Sequence, residues 1–137
     1  MKYIFFVLFL TFMISCGNTS SKMGEHKNAA VIKLNKDDSG KTIELSVGNI
    51  FEITLAANNT AGYQWEISSI NTSVLEKISE EYIPDNASQN IVGSGGKFVG
   101  KFKAVNIGNS ALEMVYHRTF EKDVAPVKKF NINVLVK

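Results

Sequence analysis

The sequence predicts an all-β fold, an Ig-like antiparallel β-sandwich of seven to eight strands. Three observations carry that expectation. Apolar and polar residues alternate with period two over six segments, the pattern of strands with one face in a core and one in water. Turn-forming clusters separate them: Asp38-Ser39-Gly40, Gly48-Asn49, and Asn106 to Asn109 around Gly108. The chain has one cysteine, so no internal disulfide can form. The domain must rest on its apolar core, which about a hundred residues can supply.

The elements follow in chain order. Lys2, an apolar run from Tyr3 to Ile14 and the small Ser15 describe a secretory signal over residues 1–15. The run falls short of the roughly 20 residues a membrane span needs. Met13-Ile14-Ser15-Cys16 resembles a bacterial lipobox, with Met13 where leucine is commoner. That resemblance implies lipidation of Cys16, a membrane anchor and an exported cell-envelope lipoprotein, periplasmic or at the cell surface. Ordinary secretion is the alternative. Residues 16–29 are polar, small and aperiodic, a flexible tether. Residues 30–137 form the domain.

Within the domain, a short strand is expected over Ala30–Leu34. In Thr42–Val47, Ile43, Leu45 and Val47 share one face; in Ile50–Ala56, Phe51, Ile53 and Leu55 do. Tyr63–Ile67 presents Tyr63, Trp65 and Ile67, which read as core. The stretch from Thr72 to Tyr82 mixes helical and extended signals, and Pro84 favours a strand over Leu75–Tyr82 after irregular chain. Phe98, Phe102 and Ala104 alternate with Lys101 and Lys103 in Lys97–Ala104. Leu112, Met114 and Tyr116 share a face of Ser110–Tyr116, and Phe130, Ile132, Val134 and Val136 one of Lys128–Val136.

If successive strands run up and down, their connections alternate between the two ends of the sandwich. One end then receives two tight turns and nothing chemically conspicuous. The other receives Asn58-Asn59-Thr60-Ala61-Gly62, the glycine-rich segment reaching Gly93-Ser94-Gly95-Gly96, and the stretch after Tyr116 that holds Arg118, Thr119 and Phe120. Loops clustered on a rigid sandwich are common places for binding sites.

Those three loops carry a resemblance. The run LAANNTAGYQW, Leu55 to Trp65, is similar to the N-P-T-T-G-Y-x-W pattern of chagasin-like inhibitors of cysteine peptidases. Gly93 to Gly96 match their G-x-G-G, and YHRTFEK stands where the family carries Arg-Pro-Trp. The resemblance spans roughly residues 30–137. It implies reversible, competitive inhibition of a papain-like cysteine peptidase by three loops wedged into the active-site cleft. Asn58, Asn59, Thr60, Ala61 and Gly62 then form the central loop. Gly93, Ser94, Gly95 and Gly96 lie along the substrate groove, and Arg118, Thr119 and Phe120 flank it. Asn59 and Thr119 replace prolines, Ala61 a threonine and Phe120 a tryptophan, which bears on affinity and target range.

Other function classes find little support. Removing residues 1–15 takes away Lys2 and leaves a net charge of +1, no footprint for nucleic acid. No Ser/His/Asp set, activated thiol or carboxylate pair falls on the loop end, so an enzyme is not expected. His26 and His117 lack partners at metal-ligand spacing, and Gly93–Gly96 has neither the helix nor the lysine motif of a phosphate cradle. No metal or cofactor is expected. The alternative function is an Ig-like envelope module that binds a structural partner and inhibits nothing.

Overall fold

The computed structural model describes residues 30–85 and 94–137. The signal, the tether and Cys16 lie outside the described residues, as does Gly93. Eight strands are present: β1 (Ile32–Leu34), β2 (Thr42–Leu45), β3 (Ile50–Ala57), β4 (Tyr63–Ser69), β5 (Leu75–Pro84), β6 (Gly96–Ala104), β7 (Gly108–Arg118) and β8 (Lys128–Val136). They form two four-stranded sheets, in the orders β1-β3-β6-β5 and β2-β8-β7-β4. This is the layered arrangement of an Ig-like sandwich.

The alternation falls where period two places it. Phe51, Phe102, Leu112, Phe130, Ile132 and Val136 are at most 1% exposed, and Phe51 stacks on Phe102 at 5.3 Å between centroids. Val47 departs from its expected face: it lies beyond the end of β2 and is exposed, while Ile43 is half-buried. The Gly48 turn takes over at that point, with φ +92° and its amide donating to the Ala104 carbonyl, so the strand closes before Val47 can turn inward.

The ladders β3–β6, β6–β5, β4–β7 and β7–β8 are antiparallel, as expected. The N-terminal edge differs. β1 pairs parallel with β3, and β2 pairs parallel with β8. Between them a 3-10 turn, Lys36–Asp38, carries the chain from one sheet to the other. Asn35 caps it: its Oδ1 accepts from the Asp37 amide at 2.8 Å while its own amide donates to Asp38 Oδ2 at 2.9 Å. Alternation reports which face a strand buries and is silent on the sense of its neighbour, so this pairing was not legible in the pattern.

β5 is an edge strand, and it shows the devices that keep an edge from pairing with another chain. A bulge interrupts its register between Lys77 and Ser79, Lys77 Nζ contacts Glu80 Oε2 at 2.8 Å, and Pro84 ends it.

The registers also fix the poles. Ala57 opposite Gly96, Tyr63 opposite Arg118 and Tyr116 opposite Lys128 terminate three ladders at one end. At the other end short turns interlock, with the Gly48 amide on the Ala104 carbonyl and the Val105 amide on the Val74 carbonyl, both 2.8 Å.

Candidate functional site: the loop rim

The β3–β4 loop is short and internally braced. Asn58 caps a 3-10 turn, Asn59–Ala61, its Oδ1 accepting from Thr60 Oγ1 at 2.6 Å and from the Ala61 amide at 3.3 Å. Gly62 closes the turn at φ +81°, the left-handed region open to glycine. From below, the Asn58 amide donates to the Tyr116 hydroxyl at 2.7 Å. Asn59, Thr60 and Ala61 are left facing solvent. A proline at 59 would restrain φ; here the Asn58 side chain supplies restraint through hydrogen bonds.

The loop after β7 leans on the first. The Arg118 guanidinium lies over the Tyr63 ring, 4.5 Å from its centroid. Its Nε donates to the Ala61 carbonyl at 3.2 Å and its Nη1 to Glu121 Oε1 at 3.0 Å. The Glu121 hydrogen bond raises the Arg118 pKa further above its already high value, against a smaller opposing effect of burial. Phe120 is 68% exposed. One edge of its ring rests on Gly62: a Cβ built there would stand 2.9 Å from Phe120 Cε1. Gly62 is thus glycine for two reasons, its φ and the ring beside it. Thr119 is exposed.

The β5–β6 segment enters beside the central loop. Gly95 accepts from the Asp85 amide at 3.0 Å. A Cβ on Gly95 would meet only Asp85 Oδ2 at 3.5 Å and the Ala57 carbonyl at 3.8 Å, ordinary contacts. Gly96 differs. A Cβ there would lie 2.6 Å from both the Ile83 carbonyl and the Tyr82 hydroxyl, so the fold itself requires this glycine. Ser94 is half-buried.

Twelve residues were singled out from the sequence; the structure brings eleven of them to one pole, and Gly93 lies outside the described residues. Two loops touch directly, through Arg118 on Ala61 and Phe120 on Gly62. The third abuts the strand end below Asn58, through the pair Ala57 and Gly96.

Residues 44–134 match the chagasin family of peptidase inhibitors, I42. The chain belongs to the chagasin family. It is 33% identical over 89 residues to Amoebiasin-1 of Entamoeba histolytica, an overlap of 64% of this chain and 82% of the relative. Its fold superposes with a TM-score of 0.70 on the crystal structure of the cysteine protease inhibitor EhICP2 from Entamoeba histolytica, at 20% identity over 78% of this chain and 96% of the other. It superposes at 0.54 on PbICP-C, solved in complex with falcipain-2, at 17% identity over 80% of this chain and 92% of the other.

The structure adds residues to this chagasin-family rim that pattern reading left in the core or unremarked. Tyr63, Trp65 and Tyr116 were expected as core. Tyr116 is buried in the core and Tyr63 and Trp65 pack against it; the Tyr63 ring stacks on Tyr116 at 5.3 Å and Trp65 tilts against it at 5.1 Å between centroids, while Trp65 Nε1 donates to the Ala56 carbonyl at 3.0 Å. Tyr116 carries a polar tip that a buried tyrosine is expected to satisfy, and that signal was available. Glu121 lies three residues beyond Arg118, a spacing that suits ion pairing across a turn. His117 Nε2 sits 2.5 Å from Glu66 Oε2, an isolated pair. Among the described residues no group of three or more possible ligands gathers to hold a metal. The rim presents loop backbone, the half-buried Arg118 guanidinium and the exposed Phe120 ring to solvent.

Proposed function

We propose that this chain is a reversible, competitive inhibitor of papain-like cysteine peptidases, acting by inserting its three loops into the active-site cleft. The observation that carries the reading is the cross-bracing of the rim. Arg118 and Phe120 hold the central loop from one side, and the Asn58 amide is tied to Tyr116 from beneath. Loops ordered before contact lose less entropy on binding. Glycine at 95, with room about its Cα in the free protein, fits a segment whose backbone approaches a partner closely. The central loop approaches the catalytic cysteine and histidine, Gly93 to Gly96 run along the groove, and Arg118 and Phe120 clasp its flank. A footprint of about 800 Å² per partner is usual for such complexes.

The family membership supports peptidase inhibition, and a fold neighbour solved with falcipain-2 supports a papain-like target. In this reading Cys16 carries lipid and the envelope membrane holds the chain. β1 enters the sandwich at the level of Phe51, far from the rim end of β3. The described chain therefore begins at the pole opposite the loops. Titration of residues 17–137 into papain with a fluorogenic substrate tests the central claim. Apparent KM should rise with kcat unchanged; a fall in kcat at constant KM contradicts competition. Mass spectrometry of the membrane fraction should find acylated Cys16 as the first residue, and an unmodified N-terminus beyond it contradicts the anchor.

A further inference from the structure

We propose that the rim selects among peptidases by charge polarity, with a basic wall on one side of the loops and an acidic wall on the other. The matching partner is a papain-like peptidase whose cleft flanks carry the reverse arrangement. The inference rests on the inhibitor reading above and adds the class of target.

Trp65 separates two pits at the foot of the loops. One, of about 350 Å³, lies where the chain crosses between sheets; Leu55, Trp65 and Phe130 line it together with Lys36, Lys128 and Lys129. The other, of about 220 Å³, opens between β4 and β5, and its lining includes Asn59 of the central loop, Trp65, Tyr82, Glu80 and Glu81. Asp85 extends the acidic side to Gly95.

Most charges on the two walls have no ion-pair partner among the described residues. Among the described residues none of Lys36, Lys128 and Lys129 pairs with a carboxylate and neither Glu81 nor Asp85 with a cation; of the three acids only Glu80 is engaged, by Lys77. Each pit is lined by charge of one sign: no carboxylate lines the first and no lysine or arginine the second. The net charge of the chain is only +2, too small for steering by total charge. Separated walls of opposite sign instead orient the molecule as it approaches, favouring a cleft of complementary polarity and repelling the rest.

Association rate constants test this on residues 17–137, which hold all eight strands of the sandwich. The targets are papain, cathepsin L and cathepsin B, and the kinetics are followed on whichever is inhibited most tightly. Lys36→Glu, Lys129→Glu and Glu81→Lys all alter exposed side chains. Lys128 is left alone because its ammonium lies 5.3 Å from the Tyr116 ring centroid. At about 20 mM salt each reversal should slow association roughly three- to tenfold, with dissociation changed less than about twofold, and the differences should vanish near 0.5 M salt. If the lysine and glutamate reversals act in opposite directions, only net charge matters and the polarity proposal fails. Unchanged rates also overturn it. Absence of inhibition of all three peptidases would instead strike at the inhibitor reading itself.

Discussion

Replacing Phe120 with alanine separates a binding residue from a folding one. In the free protein the residue is 68% exposed, resting on Gly62 and near Arg118. A phenylalanine can bury about 200 Å², so close to 140 Å² remains to be covered by a partner and about 60 Å² is covered already. At 25 cal/mol per Å² those areas correspond to about 3.5 kcal/mol available to binding and about 1.5 kcal/mol to folding, both upper limits. Ordering the ring on contact offsets part of the first, leaving a loss of about 2–3 kcal/mol, or roughly 30- to 150-fold in Ki. Progress curves against papain give Ki, and urea unfolding of the same preparations gives stability. The reasoning fails if Ki moves less than about twofold, or if the variant loses more than about 3 kcal/mol of stability, which would make Phe120 a structural residue.

The three glycines at the rim should part company when each becomes alanine. Gly95→Ala should leave stability within about 0.5 kcal/mol while weakening inhibition; Gly62→Ala should cost roughly 1–2 kcal/mol through its left-handed φ, and Gly96→Ala roughly 1–3 kcal/mol through collision with Ile83 and Tyr82. Equal urea midpoints for the three would contradict these assignments. Tyr116→Phe removes the acceptor of the Asn58 amide, so exchange of that amide with solvent deuterium should accelerate and inhibition weaken; wild-type protection at Asn58 would show the bond does not brace the loop. The Asp38 carboxyl is held below its ordinary value of 3.8, first by the Lys41 hydrogen bond and then by the Asn35 amide. A depressed carboxylate pKa stabilises the fold above the unfolded value and loses that contribution as pH falls through the folded one. Asp38→Asn should therefore soften the dependence of urea midpoint on pH below about 4, and an unchanged profile would refute the linkage.

Faces and loop positions were legible because each follows from a local rule. Strand parity alone predicts that the segments around Asn58, Gly95 and Arg118 meet at one end, and the registers at Ala57–Gly96 and Tyr63–Arg118 place them there. What escaped was set by partners distant in sequence. The parallel pairing of β1 and β2 depends on where the chain crosses between sheets, which the Asn35-capped turn decides. Gly95 and Gly96 look alike in the sequence, yet only Gly96 lies under Tyr82. Tyr116 reads as core from its period, and its hydroxyl emerges as the brace of the central loop only once β7 lies beneath Asn58. Val47 continues the alternation of its segment, but Gly48 turns the chain before the period can act.

The claim on which the account depends is that the rim fills a peptidase's active-site cleft, and alkylation of the enzyme's catalytic thiol tests it most directly. Papain saturated with residues 17–137 should react with iodoacetamide at its active-site cysteine far more slowly than free papain, and the Phe120→Ala variant at the same concentration should protect it less. A cysteine that alkylates at the free-enzyme rate while the complex is demonstrably formed would place the loops somewhere other than the cleft.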